Sequence, residues 1–201
     1  MDETEVAPRP IVILDTNTIQ HALNPETGPE IQQLISGLLN DDNALLGFSN
    51  ITILEAFKNI VFNPAKYNPV VDYLNKYLVR YEVTQDILAS AATLHDLYCN
   101  DDTIKGLVRS VSNEDMIIGV TAIHADAYLL TSDVNGYPAP FFTEVYKQIF
   151  FYRKGGQQKY IVKYLLKPDQ EMINSAAALL TPESEKSNKT KANASKKSDS
   201  L

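Results

Sequence analysis

Three short apolar runs, each set apart by helix signals, constrain this chain more than any other feature. Residues 11–15 (IVILD), Ala44–Phe48 and Ala127–Thr131 are too short for stable helices and lack polar alternation, so they read as buried strands. Such strands need cover on both faces, the environment of a parallel sheet. Helical patterns lie between them. Gly28 and Pro29 open a helix whose Ile31, Leu34, Ile35, Leu38 and Leu39 recur at helical spacing until Asn40-Asp41-Asp42-Asn43 ends it. Ser49 or Asn50 caps a second helix, which carries Glu55 and the packing stripe Leu54, Phe57 and Val61, and ends before Pro64. Val70, Val71, Leu74, Tyr77 and Leu78 mark a third, followed by a short strand over Val79–Val83. Thr84 caps a helix reaching Tyr98, and Ser112 or Asn113 caps one through Ile123 that is apolar on nearly every side and therefore buried. Asn100–Val111 reads as a polar loop or short extra helix. This alternation over residues 11–133 predicts an α/β sandwich with a parallel sheet.

The C-terminal third has another grammar. Gln148–Arg153 and Gln157–Leu166 are strand-like and flank Lys154-Gly155-Gly156, a hairpin signal. Asp169 caps a last helix to Leu180. From Thr181 the chain is rich in Ser, Lys, Asn and Thr with no aromatic residue, which predicts disorder. The expected organisation is an arm over 1–10, one domain over 11–180 with a hairpin-and-helix addition at about 148–180, and a disordered tail over 181–201.

Composition removes several classes. An apolar fraction of 44% supports one packed core. No run of 18 apolar residues occurs, so no membrane span is expected, and the acidic start MDETEVAPRP does not read as a secretory signal. The single cysteine, Cys99, excludes an internal disulfide and any thiolate metal site, fits a reducing cytoplasm, and is expected to be buried. His21, His95 and His124 show no metal spacing. The formal charge is −7, and an acidic body argues against strong nonspecific attraction to nucleic acid.

Four acids stand where a strand or loop meets a helix: Asp15, Glu55, Asp115 and Asp133. Each has an ordinary explanation. Asp15 can cap a helix or close a turn, and Glu55 can pair with Lys58 one helical turn on. Asp115 can complete a capping box with Ser112, and Asp133 can serve the turn before Asn135-Gly136. Their joint placement also fits a metal site, because open α/β sheets carry their sites at the carboxyl ends of strands. Carboxylates about 5 Å apart repel by roughly 3 kcal/mol per pair at an effective dielectric near 20, and capture of a hard cation relieves this. Mg²⁺ and Mn²⁺ suit such oxygen donors. Glu114 could substitute or assist. Asn17, Thr131 and Ser132 could orient water or phosphate, or simply bond the local turns. On the hairpin, Arg153, Lys154, Lys159, Lys163 and Lys167 interleave with Tyr152, Tyr160 and Tyr164. That mixture suits single-stranded nucleic acid, or is a solvated face with lysines guarding an edge.

The segments IVILDTN, the helix with Glu55, and NEDMIIGVTAIHADAYLLTSD resemble the motifs of the PIN-domain nucleases over roughly residues 11–135. The resemblance implies a Rossmann-like three-layer α/β/α sandwich with a mostly parallel sheet. It also implies a Mg²⁺ or Mn²⁺ ion held by Asp15, Glu55, Asp115 and Asp133, and hydrolysis of phosphodiesters, usually in RNA. Many small members are toxins of toxin–antitoxin pairs, so an antitoxin partner and a homodimer are also implied. Two other readings remain: a PIN-like module that binds RNA or protein without cutting, and a metal-dependent phosphatase. The phosphatase requires a second aspartate two residues after Asp15, where this chain has Asn17.

Overall fold

β1 (Ile11–Leu14) lies inside a six-stranded sheet with β2 (Leu45–Ser49), β3 (Val79–Tyr81), β4 (Tyr128–Thr131), β5 (Phe142–Lys154) and β6 (Gln157–Pro168), in the order β3-β2-β1-β4-β6-β5. This computed structural model describes residues 8–58, 60–100, 111–137 and 140–180. The first seven residues of the expected arm, positions 101–110 of the expected loop or helix, and the tail from Thr181 lie outside the described residues. β1 pairs in parallel with β2 and β4, and β2 with β3. β6 pairs antiparallel with β4 and β5. The four strands up to Thr131 thus form the expected parallel sheet, and the hairpin extends it.

Strand alternation divides the apolar residues between two helical layers. Val12, Leu14, Leu46, Phe48 and Leu130 pack with Ile19 and Ala22 of α1 (Thr16–Leu23), Ile31 and Ile35 of α2 (Gly28–Asn40), and Tyr73 and Leu74 of α4 (Pro64–Tyr77). Ile13, Ser49, Leu129 and Thr131 alternate to the other face, where α6 (Asn113–His124) packs against β1, β2 and β4. Thr121 on α6 donates to the Ser49 hydroxyl at 2.9 Å. α5 (Gln85–Asn100) packs against α6. Each fully buried Leu or Ile contributes about 1.5–3 kcal/mol relative to exposure. β2 needs Gly47 because a Cβ there would sit 2.5 Å from the Tyr81 ring. The described residues form two units, 8–169 and 170–180. In the second, α7 (Gln170–Leu180) forms where a final helix is expected.

Five local expectations change. α1 gives no clear signal because Thr16, Asn17 and Thr18 are weak helix formers. Burial of Ile19 and Ala22 holds it. α3 (Ile51–Phe57) stops four residues before Val61, and its inward residues are Thr52 and Ala56. Leu54 and Val61 of the expected stripe are exposed. α4 begins at Pro64 rather than Val70 and keeps Pro69 within it. A proline in the first turn suits a helix start, and Pro69 gives up one backbone donor. β5 begins at Phe142, six residues before Gln148, because a bulge between Glu144 and Tyr146 breaks the alternation. Cys99 is exposed, not buried, with its Sγ 3.7 Å from His95 Nε2 across one helical turn. The hairpin turn itself is as expected: Gly155 and Gly156 both have positive φ, +58° and +79°, suiting a two-residue reversal.

Candidate active site

Asp15 follows the last residue of β1, at the carboxyl edge of the parallel strands, and is 2% exposed. Its carboxylate accepts hydrogen bonds from the Asn17 amide and the Thr131 hydroxyl. Burial raises its pKa to about 6, and the charges of Asp115 and Glu55 push in the same direction. Glu55, on α3, accepts from the Thr16 hydroxyl. Burial raises its pKa too, with Asp115 and Glu114 adding repulsion. Asp115 sits in the first turn of α6 in the expected capping box. Its N–H donates to Ser112 Oγ at 3.0 Å, and Ser112 Oγ donates to its carboxylate at 2.8 Å. Asp15, Glu55 and Asp115 therefore sense one another electrostatically although they come from three elements. The alternative pairing of Glu55 with Lys58 is not formed as an ion pair. Thr16, adjacent to Asp15, takes that place.

Asp133 lies two residues past the end of β4. It is exposed, and its Oδ1 caps the single 3-10 turn Val134–Gly136 by accepting from Asn135 N at 3.0 Å. Its backbone is tied to the site, because its N–H donates to Thr131 Oγ1 at 2.9 Å. Among the described residues, no three acids, histidines or cysteines stand close enough to hold a metal ion together. Gly136 packs directly on Asp115, and a Cβ there would lie 3.1 Å from its Cγ.

The supporting residues form a connected network. Asn17 Nδ2 also donates to Thr131 Oγ1 at 3.1 Å, while Asn17 Oδ1 accepts from Ser132 N at 2.9 Å and from Lys163 Nζ at 3.3 Å. The Thr18 hydroxyl adds a third donor to Oδ1 at 3.3 Å, so the amide must turn Nδ2 toward Asp15. Among the described residues, the buried Ser132 Oγ has no hydrogen-bond partner. Tyr137 lies beside Asp15, and burial together with the charges of Asp15, Asp115 and Glu55 pushes its pKa well above the ordinary phenol value.

Lys163 corrects the expectation of a basic hairpin surface. It is 1% exposed, and its Nζ donates to Thr18 Oγ1 at 2.9 Å and His21 Nδ1 at 3.1 Å as well as to Asn17. Burial lowers its pKa to about 7, against the pull of Asp15. Burial and the Lys163 charge lower His21 to about 4, so His21 is a neutral acceptor. Arg153, Lys154 and Lys159 are exposed as expected, and Lys154 pairs with Glu26 at 3.2 Å. Sequence reasoning did not single out Thr16, Tyr137, Gly136 or the pairing of Lys163 with His21. The only local hint was the position of Thr16 between Asp15 and Asn17.

No model of a known protein family matches the sequence, and no curated protein matches it either. Solved structures do match. VapBC2 from Rickettsia felis, bound to a DNA fragment from its promoter, contains a chain 21% identical with a TM-score of 0.50, covering 62% of this chain and 89% of that one. VapBC-1 from nontypeable Haemophilus influenzae gives 23% identity and a TM-score of 0.49 over 63% of this chain and 90% of that one. FitAcB from Neisseria gonorrhoeae gives 19% and 0.47 over 63% and 90%. The fold of the present chain is PIN-like. Among the described residues no helix is long and apolar enough to cross a membrane.

Proposed function

We propose that this chain is a divalent-metal-dependent hydrolase of phosphodiesters, acting as an endoribonuclease on single strands. One observation carries the reading: Asp15, an almost fully buried carboxyl at the carboxyl edge of the sheet, shares a field of mutual repulsion with Glu55 and Asp115. One buried and two half-buried carboxylates, with no basic side chain hydrogen-bonded to them among the described residues, form an environment that favours a hard cation. The donor set fits Mg²⁺ or Mn²⁺, which Asp15, Glu55 and Asp115 would hold with Asp133 assisting from the edge. Such an ion, when bound, polarises the phosphodiester and the attacking water. The protein's own part is positional. Asn17 and Thr131 fix the Asp15 carboxylate, Thr16 aims Glu55, and Ser112 with Gly136 sets Asp115. The unpartnered Ser132 hydroxyl is placed to bond a phosphate oxygen or a water.

The test is cleavage of an end-labelled single-stranded RNA with Mg²⁺ or Mn²⁺. Cleavage is expected with metal and none in EDTA, and metal-independent or absent cleavage would overturn the reading. A second, subtler change follows from the packing. Gly136→Ala should displace Asp115 by a few tenths of an ångström, cost about 1–3 kcal/mol in thermal unfolding, and slow cleavage about tenfold. Unchanged cleavage would remove Asp115 from the mechanism.

A second reading has support in the spacing of the side chains, since no three acids among the described residues are poised around one ion. It is a PIN-like module that binds RNA or protein without cutting. RNA affinity with no cleavage in any metal would select it. The VapBC2 complex, a toxin–antitoxin pair, supports a small antitoxin as protein partner. Inhibition by the product of an adjacent gene would test that.

A further inference from the structure

The hairpin extends beyond the parallel strands on the side where Asp15 lies. Thr131, the last residue of β4, pairs with Tyr164 of β6, and β6 continues past it to Gln157. Directly paired residues share a face. Asp15, Thr131 and Tyr164 therefore stand on one side of the sheet, since the Thr131 hydroxyl bonds Asp15. The same side continues outward through the pairs Tyr164–Lys147, Val162–Ile149, Tyr160–Phe151 and Gln158–Arg153. At about 3.3 Å per residue, this surface runs about 20 Å from Tyr164 to Gln158.

The other side of the hairpin is occupied. Phe150, Ile161 and Leu165 pack against the core, and Lys163 is buried beneath α1. The side continuous with Asp15 is bare: Tyr160 is 65% exposed, Phe151 59% and Ile149 50%. Phe151 and Tyr160 meet edge to face, and Lys147 lies 5.2 Å over the Tyr164 ring. Charge indicates what covers it. On this side stand two cations, Lys147 and Arg153, and no acid, in a chain of net −7, while Lys154, Lys159, Lys163 and Lys167 alternate to the other side. Glu144, the one acid of the hairpin, lies beyond the bulge at the far end.

We infer that this face is a platform for single-stranded nucleic acid, with bases stacked on Phe151, Tyr160 and Tyr164 and phosphates met by Lys147 and Arg153. Rings on an open strand face accept unstacked bases of any sequence, whereas a duplex keeps its bases enclosed. The face leads the strand to Asp15. Only that last role rests on the nuclease reading above.

Anisotropy of a fluorescein-labelled 12-mer of oligouridine, titrated with the full chain in EDTA, reads binding without cleavage. Phe151→Ala with Tyr160→Ala should weaken binding tenfold or more at unchanged melting temperature, since both rings are solvent-facing. Arg153→Gln should reduce the slope of log affinity against log salt by about 0.7 for the phosphate contact removed. The same 12-mer annealed to oligoadenosine should bind less well than the single strand. Equal affinity of the double variant and the parent overturns the platform. Loss of self-association in gel filtration with oligouridine affinity unchanged also overturns it, marking the face as a protein interface. Binding that behaves as expected in a chain that never cleaves RNA would overturn the nuclease reading and leave the platform standing.

Discussion

Asp15→Asn is expected to eliminate metal-dependent RNA cleavage, by a factor of roughly 1000 or more, while making the metal-free protein more stable at neutral pH. The two effects have one cause. The Asp15 pKa is raised from 3.8 to about 6, chiefly by burial. A folded carboxyl with a raised pKa holds its proton too well, so ionisation destabilises the fold. The penalty is absent below about pH 4, grows between 4 and 6, and is complete above 6. At about 1.4 kcal/mol per pKa unit it amounts to about 3 kcal/mol. The asparagine keeps an acceptor for Thr131 and Asn17 and removes the charge. Thermal unfolding without metal should place the variant several degrees above the parent at pH 7.5, with the gap closing by pH 4. A variant that still cleaves normally would remove Asp15 from the chemistry. Equal melting temperatures at pH 7.5 would show that the charge of Asp15 is not the strained one.

Lys163→Met is expected to stabilise the fold at pH 6 and to impair the site. The Lys163 pKa is lowered to about 7 by burial. The sign is opposite in pH to that of Asp15. A lowered lysine destabilises the fold fully below pH 7, and the penalty fades as pH rises from 7 toward 10.5. Its size is up to about 5 kcal/mol. Methionine removes it but leaves Thr18 and His21 without a donor, at about 1–3 kcal/mol for a buried acceptor. With about 3 kcal/mol lost in acceptors, the net gain is about 2 kcal/mol at pH 6, vanishes near pH 8 and becomes a loss of about 2 kcal/mol near pH 10. Asn17 Oδ1 would lose one donor and keep Ser132 N and the Thr18 hydroxyl, so its amide would be held less firmly toward Asp15, and cleavage should fall severalfold. His21 gives an independent readout. Burial is the larger cause of its low pKa, now about 4, so without the Lys163 charge that pKa should rise but stay below 6.5 in an NMR titration. A His21 titration that does not move would show that the two are not coupled.

Asp15 and Asp115 were legible because their settings are local. An apolar strand ending in an acid, and Ser112 three residues before Asp115, are complete within a few residues. Their convergence was inferred from the alternation of strands and helices, which fixes the carboxyl edge as a common place. The partners of these acids were not legible. Thr16 reaches Glu55 across 39 positions, and Lys163 reaches Asn17 across 146. No periodicity records such pairings. Asp133 has the sequence setting of a site residue, yet its carboxylate serves the next turn.

The amino-acid order alone determined the parallel α/β core, the two-glycine reversal, and the acids at the strand–helix junctions, because short-range patterns of apolar and turn-forming residues encode them. Tertiary structure decided which of the hairpin's two faces is covered. Alternation separates Lys163 from Tyr160 and Tyr164, but only the packing of α1 and α2 against one side buries the lysine and leaves Phe151 and Tyr160 to solvent. A strand pattern says that two faces differ; the free energy of burying apolar surface against a distant helix selects which face turns inward.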